Sequence, residues 1–287
     1  MAAAPAERTL RWWRAMGLPE AGEDELVFGQ ADVEVVASLN FLVESGVIGD
    51  DEVLRLARLM GASFSRLVEA QLEVIDRLLS AETNPVSETA SDTEIVRVVE
   101  STMLYVWRRH LLAAMGRRLS VDNTDGEFAV GFADLSGFTS LSRTMSGAQL
   151  TEMVEAFEQV AFDVVTKGQG RVIKLIGDEV MYVAATVDQA VEIAIGLIRE
   201  LDHVGNMPAL HCGISFGPTI AVGGDVFGPT VNLASRLTKL ARAGTVVVPR
   251  EGASHLVHRD DLVVRRMRRP EELRGAGRPS LLSVRPS

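Results

Sequence analysis

The chain has 287 residues, a formal net charge of −10 and 47% hydrophobic residues, enough for two domains that each bury their own core. No run approaches the ~20 apolar residues of a membrane-spanning helix, so none is expected. The lone Cys212 excludes an internal disulfide and reads as a small buried hydrophobe. The first hundred residues carry nineteen acids against eight bases, whereas the remainder is balanced at twenty against twenty-one. That split fits two domains of different task, and neither half has the basic face of a nucleic-acid binder, so no nucleic-acid partner is expected. The N-terminus, MAAAPAERTLRWWRAMG, lacks a basic-then-apolar pattern, which points to a cytoplasmic chain without a signal peptide.

The first part reads as helical. Apolar residues at helical spacing (Val33, Val36, Leu39, Phe41, Leu42) predict a helix over 32–45 that ends at Gly46. A second helix is predicted from Asp50 to Met60-Gly61, with acids at its positive end, and a third from Ser63 to Leu79. The polar stretch 82–90 reads as a loop. Ser91-Asp-Thr-Glu94 has capping-box spacing and opens a helix to Met115-Gly116. Trp12, Trp13, Tyr105, Trp107 and the apolar stripes are expected to form the core of this part. His110, beside Arg108 and Arg109, is compatible with proton sensing.

SVDNTDGE at 120–127 reads as a linker, after which the period changes. Strands are predicted at 128–135, 171–176, 180–184, 210–216, 219–223, 245–248, 262–266 and 281–284. Helices are predicted at 146–167, 187–201 and 229–241. The order β-α-β-β-α-β, with a further helix and strands, is the ferredoxin-like split βαβ plan. The fold class expected is therefore α+β: an all-α domain over 1–119, a linker over 120–127, and the mixed domain over 128–287.

Three segments carry candidate chemistry. Asp134 ends one strand at an abrupt glycine turn, and Asp178 follows Gly177 at the end of another. Two such carboxylates can share hard cations, whose other positions are filled by water and substrate phosphates. Each aspartate alone could equally be an ordinary turn residue. Lys174 is one of only three lysines among twenty-six arginines and lies in the apolar strand Arg171–Ile176. An ammonium buried there needs a partner, and a compact lysine reads a ligand differently from an arginine fork. The bland alternative is an edge-strand lysine that snorkels. Asn232 and Arg236, four apart on a predicted helix, share one face and suit a sugar oxygen and a phosphate. Asp225 precedes that helix at a Gly-rich turn, where it could accept from an exocyclic amine; taken in isolation, these three read more simply as a helix-entry acid, an exposed asparagine and a solvated arginine.

FADLSGFT, IKLIGDEVMYVA and GDVFGPTVNLASRL together resemble the catalytic domain of class III nucleotidyl cyclases, over about residues 125–286. The resemblance implies a two-metal set of Asp134, Asp178 and Leu135 for two Mg²⁺ or Mn²⁺ ions. It implies adenine selection by Lys174 and Asp225, where guanine-selecting members usually carry Glu and Cys. Asn232 and Arg236 would steady the ribose and the transition-state phosphates, and ATP would be the substrate. A phosphate-binding lysine near the C-terminus of that family is matched here by Arg274 in Glu272-Leu-Arg274-Gly275. The resemblance further implies a homodimer with active sites shared between subunits. RWWRAMGLPEAGEDE and VEVVASLNFLVESG are similar to the N-terminal regulatory domains of soluble actinobacterial-type adenylate cyclases, which implies a module that controls how the catalytic domains meet. Gly-Asp-Glu at 177–179 is only weakly similar to the diguanylate cyclase signature. A non-catalytic nucleotide sensor, or an interaction module with a vestigial cyclase, are the rival readings, and the complete set of motif residues argues against both.

Overall fold

The computed structural model describes residues 5–19, 29–79, 92–120, 126–267 and 277–287. The chain divides into two compact units, Met1–Ser120 and Val121–Ser287. The loop expected at 82–90, the cap expected at Ser91 and most of the expected linker (121–125) lie outside the described residues.

Among the described residues four helices make the first unit: α1 (Ala6–Ala15), α2 (Gln30–Glu44), α3 (Asp50–Leu79) and α4 (Asp92–Ser120). Trp12 is 1% exposed and packs with Val53 and Leu54 in a small core that Val36, Leu39 and Val43 complete. Its indole N–H donates to Asp50 Oδ1 at 2.8 Å, so burying the ring leaves no orphaned donor. The two helices expected over 50–60 and 63–79 are one. Gly61 does not cap a helix; it admits a neighbour, because a Cβ there would sit 2.1 Å from the Met16 carbonyl oxygen.

The aromatic pair expected in the core is not there: Tyr105 is 64% and Trp107 59% exposed. Helix α4 exposes Val96, Val98, Leu104, Val106, Leu111 and Leu112 as well. Apolar residues spread around the whole circumference give no single stripe for one neighbour to cover. No helix among the described residues is long and apolar enough to cross a membrane.

The second unit runs β1 (Glu127–Leu135), α5 (Phe138–Leu141), α6 (Gly147–Lys167), β2 (Arg171–Ile176), β3 (Glu179–Ala184), α7 (Val187–Asp202) and β4 (Leu210–Pro218). It continues with β5 (Ile220–Val222), β6 (Asp225–Phe227), α8 (Pro229–Leu240), β7 (Thr245–Pro249), a 3₁₀ turn (Ser254–His258), β8 (Leu262–Arg266) and β9 (Leu281–Pro286). Seven strands form one sheet in the order β2-β3-β1-β4-β7-β9-β8, antiparallel except for the parallel pair β4–β7. The first four are the ferredoxin-like arrangement. β5 and β6 form a separate two-stranded ribbon, and β6 is an element that the sequence pattern did not mark.

Period-two alternation sorts the sheet into two faces. Ala129, Ala133 and Leu135 of β1 join Phe157 of α6 and Ile193 and Leu197 of α7 in the main core. Val130 and Phe132 face the other way and pack with Met181, Val183 and Ala234 of α8. Capping boxes and N-caps start the covering helices: Ser146 accepts from the Gln149 N–H, and Thr186 from that of Gln189. Helix α8 lies almost on the backbone of β4. A Cβ on Gly213 would stand 2.1 Å from the Thr238 nitrogen and 2.5 Å from the Ala234 carbonyl oxygen.

Backbone cannot yield as a flexible side chain can, so Gly213→Ala is expected to cost about 3 kcal/mol through overpacking. Gly205→Ala, where an added Cβ meets nothing within 4 Å, should stay within about 0.5 kcal/mol of the parent. Urea denaturation reads both, and equal midpoints for the two variants would contradict the contact.

Candidate active site

Strand β1 ends in a polar cluster. On the face that α8 covers, Asp134 stands in register with Glu179 of β3 and with His211 of β4. The β2–β3 turn, in which Gly177 takes φ 63°, is drawn against this end because the Leu135 N–H donates to the Asp178 carbonyl at 3.2 Å. Asp178 therefore sits beside Asp134. Burial raises the Asp178 carboxyl above its ordinary value, a backbone hydrogen bond opposes the rise, and the Asp134 charge adds to it. Burial likewise raises Glu179, with Asp134 reinforcing the shift and Lys239 opposing it. Like charges crowded into half-buried space are relieved by a cation.

The donors fit a hard one. The carboxylates supply oxygen donors, and Leu135, whose side chain lies in the main core and carries no ligating atom, has only its main-chain carbonyl to add. Among the described residues no group of three or more His, Cys, Asp or Glu side chains is placed to hold a metal. A two-carboxylate set matches the habit of Mg²⁺, which keeps positions for waters and substrate phosphates.

His211, which has no metal-ligand spacing in the sequence, is part of this cluster. Its Nε2 lies 3.3 Å from Asp134 Oδ2 and its Nδ1 2.9 Å from Ser136 Oγ. The available signal was parity: His211 is two residues from Gly213 and so shares the face of α8. One residue on, Cys212 points into the main core, where burial and then the Asp134 charge push its thiol well up.

Lys174 and Asp225 form the second pair. β2 is an edge strand of the sheet, and the Lys174 side chain is 36% exposed, so the ammonium is not buried as its apolar neighbours implied. It donates to Asp225 Oδ2 at 2.5 Å and lies 5.9 Å from the centroid of the Phe227 ring. Arg171 donates to the Gly224 carbonyl at 3.5 Å, so two residues of β2 hold the β5–β6 ribbon. Burial alone would raise Asp225, but the Lys174 donor and the Val226 N–H, at 2.7 Å from Oδ1, outweigh it and hold the carboxyl below its ordinary value. Asp225 opens β6 and is not the turn residue expected. Lys174 pairs with Met181 on β3, whereas Asp178 occupies the turn beyond, so the two belong to different clusters.

The third pair rides on α8. Gly228, at φ 136°, and Pro229 at the first helical position start that helix. Thr230 Oγ1 donates to the Pro218 carbonyl at 2.8 Å, which ties it to β4. Asn232 is exposed and Arg236 half-buried, one turn apart, while Ala234 and Leu237 face the sheet. Arg274 lies outside the described residues.

Comparison with known proteins meets this geometry. Residues 121–282 match the family described as adenylate and guanylate cyclase catalytic domain. The chain is 39% identical over 267 residues to an adenylate cyclase of Streptomyces coelicolor, covering 89% of this chain and 69% of that one. It is 38% identical over 259 residues to an adenylate cyclase of Streptomyces griseus, covering 86% and 64%. The chain thus spans about two thirds of the length of these curated relatives. A crystal structure of the catalytic core of a rhodopsin-guanylyl cyclase with converted specificity, in complex with ATPαS, superposes with a TM-score of 0.50. That match is 21% identical and covers 56% of this chain and 96% of the other, a likeness of fold.

A carboxyl held below its ordinary value stabilises the fold at pH above the ordinary value, and the contribution declines below that value until it is lost as the pH falls through the lowered one. Partly exposed ion pairs of this kind are worth up to about 1 kcal/mol. Asp225→Asn is therefore expected to be less stable than the parent by that amount at about pH 7, with the gap closing below about pH 4. Urea midpoints across that range test it, and a gap that persisted in acid would exclude the ion pair as its source.

Proposed function

The chain belongs to the adenylate and guanylate cyclase catalytic domain family, and from that premise we propose that it is an adenylate cyclase, converting ATP to 3′,5′-cyclic AMP and pyrophosphate. The observation that carries the choice of ATP is the 2.5 Å contact between Lys174 and Asp225. A lysine donor next to a carboxylate acceptor complements an edge with a ring-nitrogen acceptor and an exocyclic amine, which is adenine. Guanine presents a carbonyl and a ring N–H there, the reverse pattern.

In the reaction the ribose 3′-oxygen attacks the α-phosphorus, the bond to the bridging oxygen breaks, and pyrophosphate leaves. Bound as a pair, Mg²⁺ or Mn²⁺ ions supply Lewis acidity at the attacking oxygen and neutralise the leaving group. Asp134, Asp178 and the Leu135 carbonyl would hold them, and the crowding of Asp178 by Asp134 supports that reading. Asn232 orients the ribose, and Arg236 offsets negative charge that develops on the α-phosphoryl group. Arg274 would contact the polyphosphate. No nucleophilic side chain is needed, because the nucleophile belongs to the substrate.

The working unit in this reading is a homodimer. Metal-holding aspartates of one subunit meet Lys174, Asp225, Asn232 and Arg236 of the other, so two-fold symmetry gives two equivalent sites. The separation of Lys174 from Asp178 supports it. The helical unit, by similarity of its first segments, governs how the catalytic domains meet.

One assay tests the reading: cyclic nucleotide formation from ATP and from GTP with Mg²⁺ or Mn²⁺. ATP is the expected substrate, and Asp134→Ala should bring turnover to background; activity surviving that change would contradict the metal assignment. Lys174→Glu with Asp225→Cys should depress ATP use far more than folding, and an undiminished ATP rate would remove the base-selecting role. The same assay on a chain lacking residues 1–120 tests control by the helical unit, which unchanged activity and pH dependence would refute.

A further inference from the structure

On the sheet face that carries Asp134 and His211, the strands build a second polar concavity. His211 of β4 pairs with Thr245 of β7. The β7–β9 register, Val246 opposite Val284, continues to Arg285, which pairs with Val263 of β8. Three strand spacings put Arg285 roughly 14 Å from Asp134. Here a cavity of about 450 Å³ is lined by Arg242, Arg265 and Arg285, with Arg266 at its rim because alternation turns it to the other face of β8, over a floor that includes Val247 and Val263. Among the described residues its lining contains no acidic residue.

The net charge is −10, and arginines that meet carboxylates are neutralised, as Arg259 is by Glu192 and Asp261 and Arg8 by Glu44. None of the four cavity arginines forms an ion pair among the described residues. Arg265 and Arg285 are diagonal neighbours on paired strands, a placement in which like charges repel. Thr245 fixes a third, since its Oγ1 accepts from the Arg242 N–H at 3.0 Å and donates to the Arg242 carbonyl at 2.8 Å. Guanidinium forks match phosphate oxygens, the volume is that of a small-molecule site, and the floor is apolar.

We propose that this concavity is an anion site for a di- or triphosphate group, free or carried by a nucleotide, distinct from the site of Asp134 and Asp178. It does not rest on the catalytic assignment. The guanidiniums take the phosphates, and the apolar floor takes the body of a nucleotide where there is one. Occupancy neutralises like charges gathered at the C-terminal end of α8, the helix that also carries Asn232 and Arg236.

The test is calorimetric titration of the full chain with inorganic tripolyphosphate and, separately, with CTP, in EDTA so that binding through divalent ions is suppressed. Both probes are expected to bind, with affinity falling as salt rises. Arg265→Ser with Arg285→Ser should weaken binding by at least about tenfold, while the melting temperature and the turnover of ATP without added anion stay as in the parent. Tighter binding of CTP than of tripolyphosphate assigns a nucleotide, and equal binding assigns the inorganic anion; both support the site. Absence of binding in EDTA would overturn it. So would binding that survives the double arginine variant but is lost in Asp134→Ala with Arg236→Ala.

Discussion

The register of one strand governs the candidate site. β1 lies between β3 and β4, and its alternation sends Ala133 and Leu135 into the main core while Asp134 emerges on the face of α8. A slip of one residue would exchange these sides, driving a carboxylate into the apolar interior and exposing leucine. The buried alternation of Ala129, Val130, Phe132 and Ala133 fixes that register from both faces. Asp134 is held in place by hydrophobic burial elsewhere along its own strand, and Asp178 is then brought to it by one backbone hydrogen bond from Leu135.

Around that fixed point the charges are sorted by sign. Carboxylates gather at the end of β1, where burial already works against their ionised forms. The lone ammonium of β2 is matched by one carboxylate from the β5–β6 ribbon. Guanidiniums without an ion pair among the described residues collect beyond His211, on β8, β9 and the turn after α8. Crowded carboxylates and clustered guanidiniums each cost energy, and a partner of opposite sign relieves them; Lys174 already has one in Asp225. The proposed partners are cations at the first group and, at a separate site, phosphates at the third.

How much of this was legible beforehand depended on how local the cause was. The strands and helices of the second unit follow from period and capping, and Ser146 with Gln149 marks a helix start that the structure repeats atom by atom. Asp134, Lys174, Asp178, Asp225, Asn232 and Arg236 were visible because each stands at a break in an apolar pattern. What escaped was set by neighbours distant in sequence. Gly61 looks like a helix stop until the Met16 backbone is seen lying against it. His211 lacks any ligand spacing because its partners come from another strand and the turn after it. Tyr105 and Trp107 read as core, since composition records how apolar a helix is but not whether a neighbour covers it. Lys174 reads either as buried in an apolar strand or as an edge-strand lysine, and strand order, which sequence does not display, decides for the edge.

That edge has a consequence of its own. The outer rim of β2 offers unpaired backbone groups, a template on which a stray strand from another molecule could grow. Two features of β2 blunt it: the register shift between Val172 and Lys174, and the lysine itself, since an irregular, charged rim is a poor surface for extension. A side chain proposed to read a base is also a guard against aggregation. A β-branched apolar residue at position 174 would flatten and grease the rim, so solubility and the proposed choice of base rest on the same four methylenes and one charge.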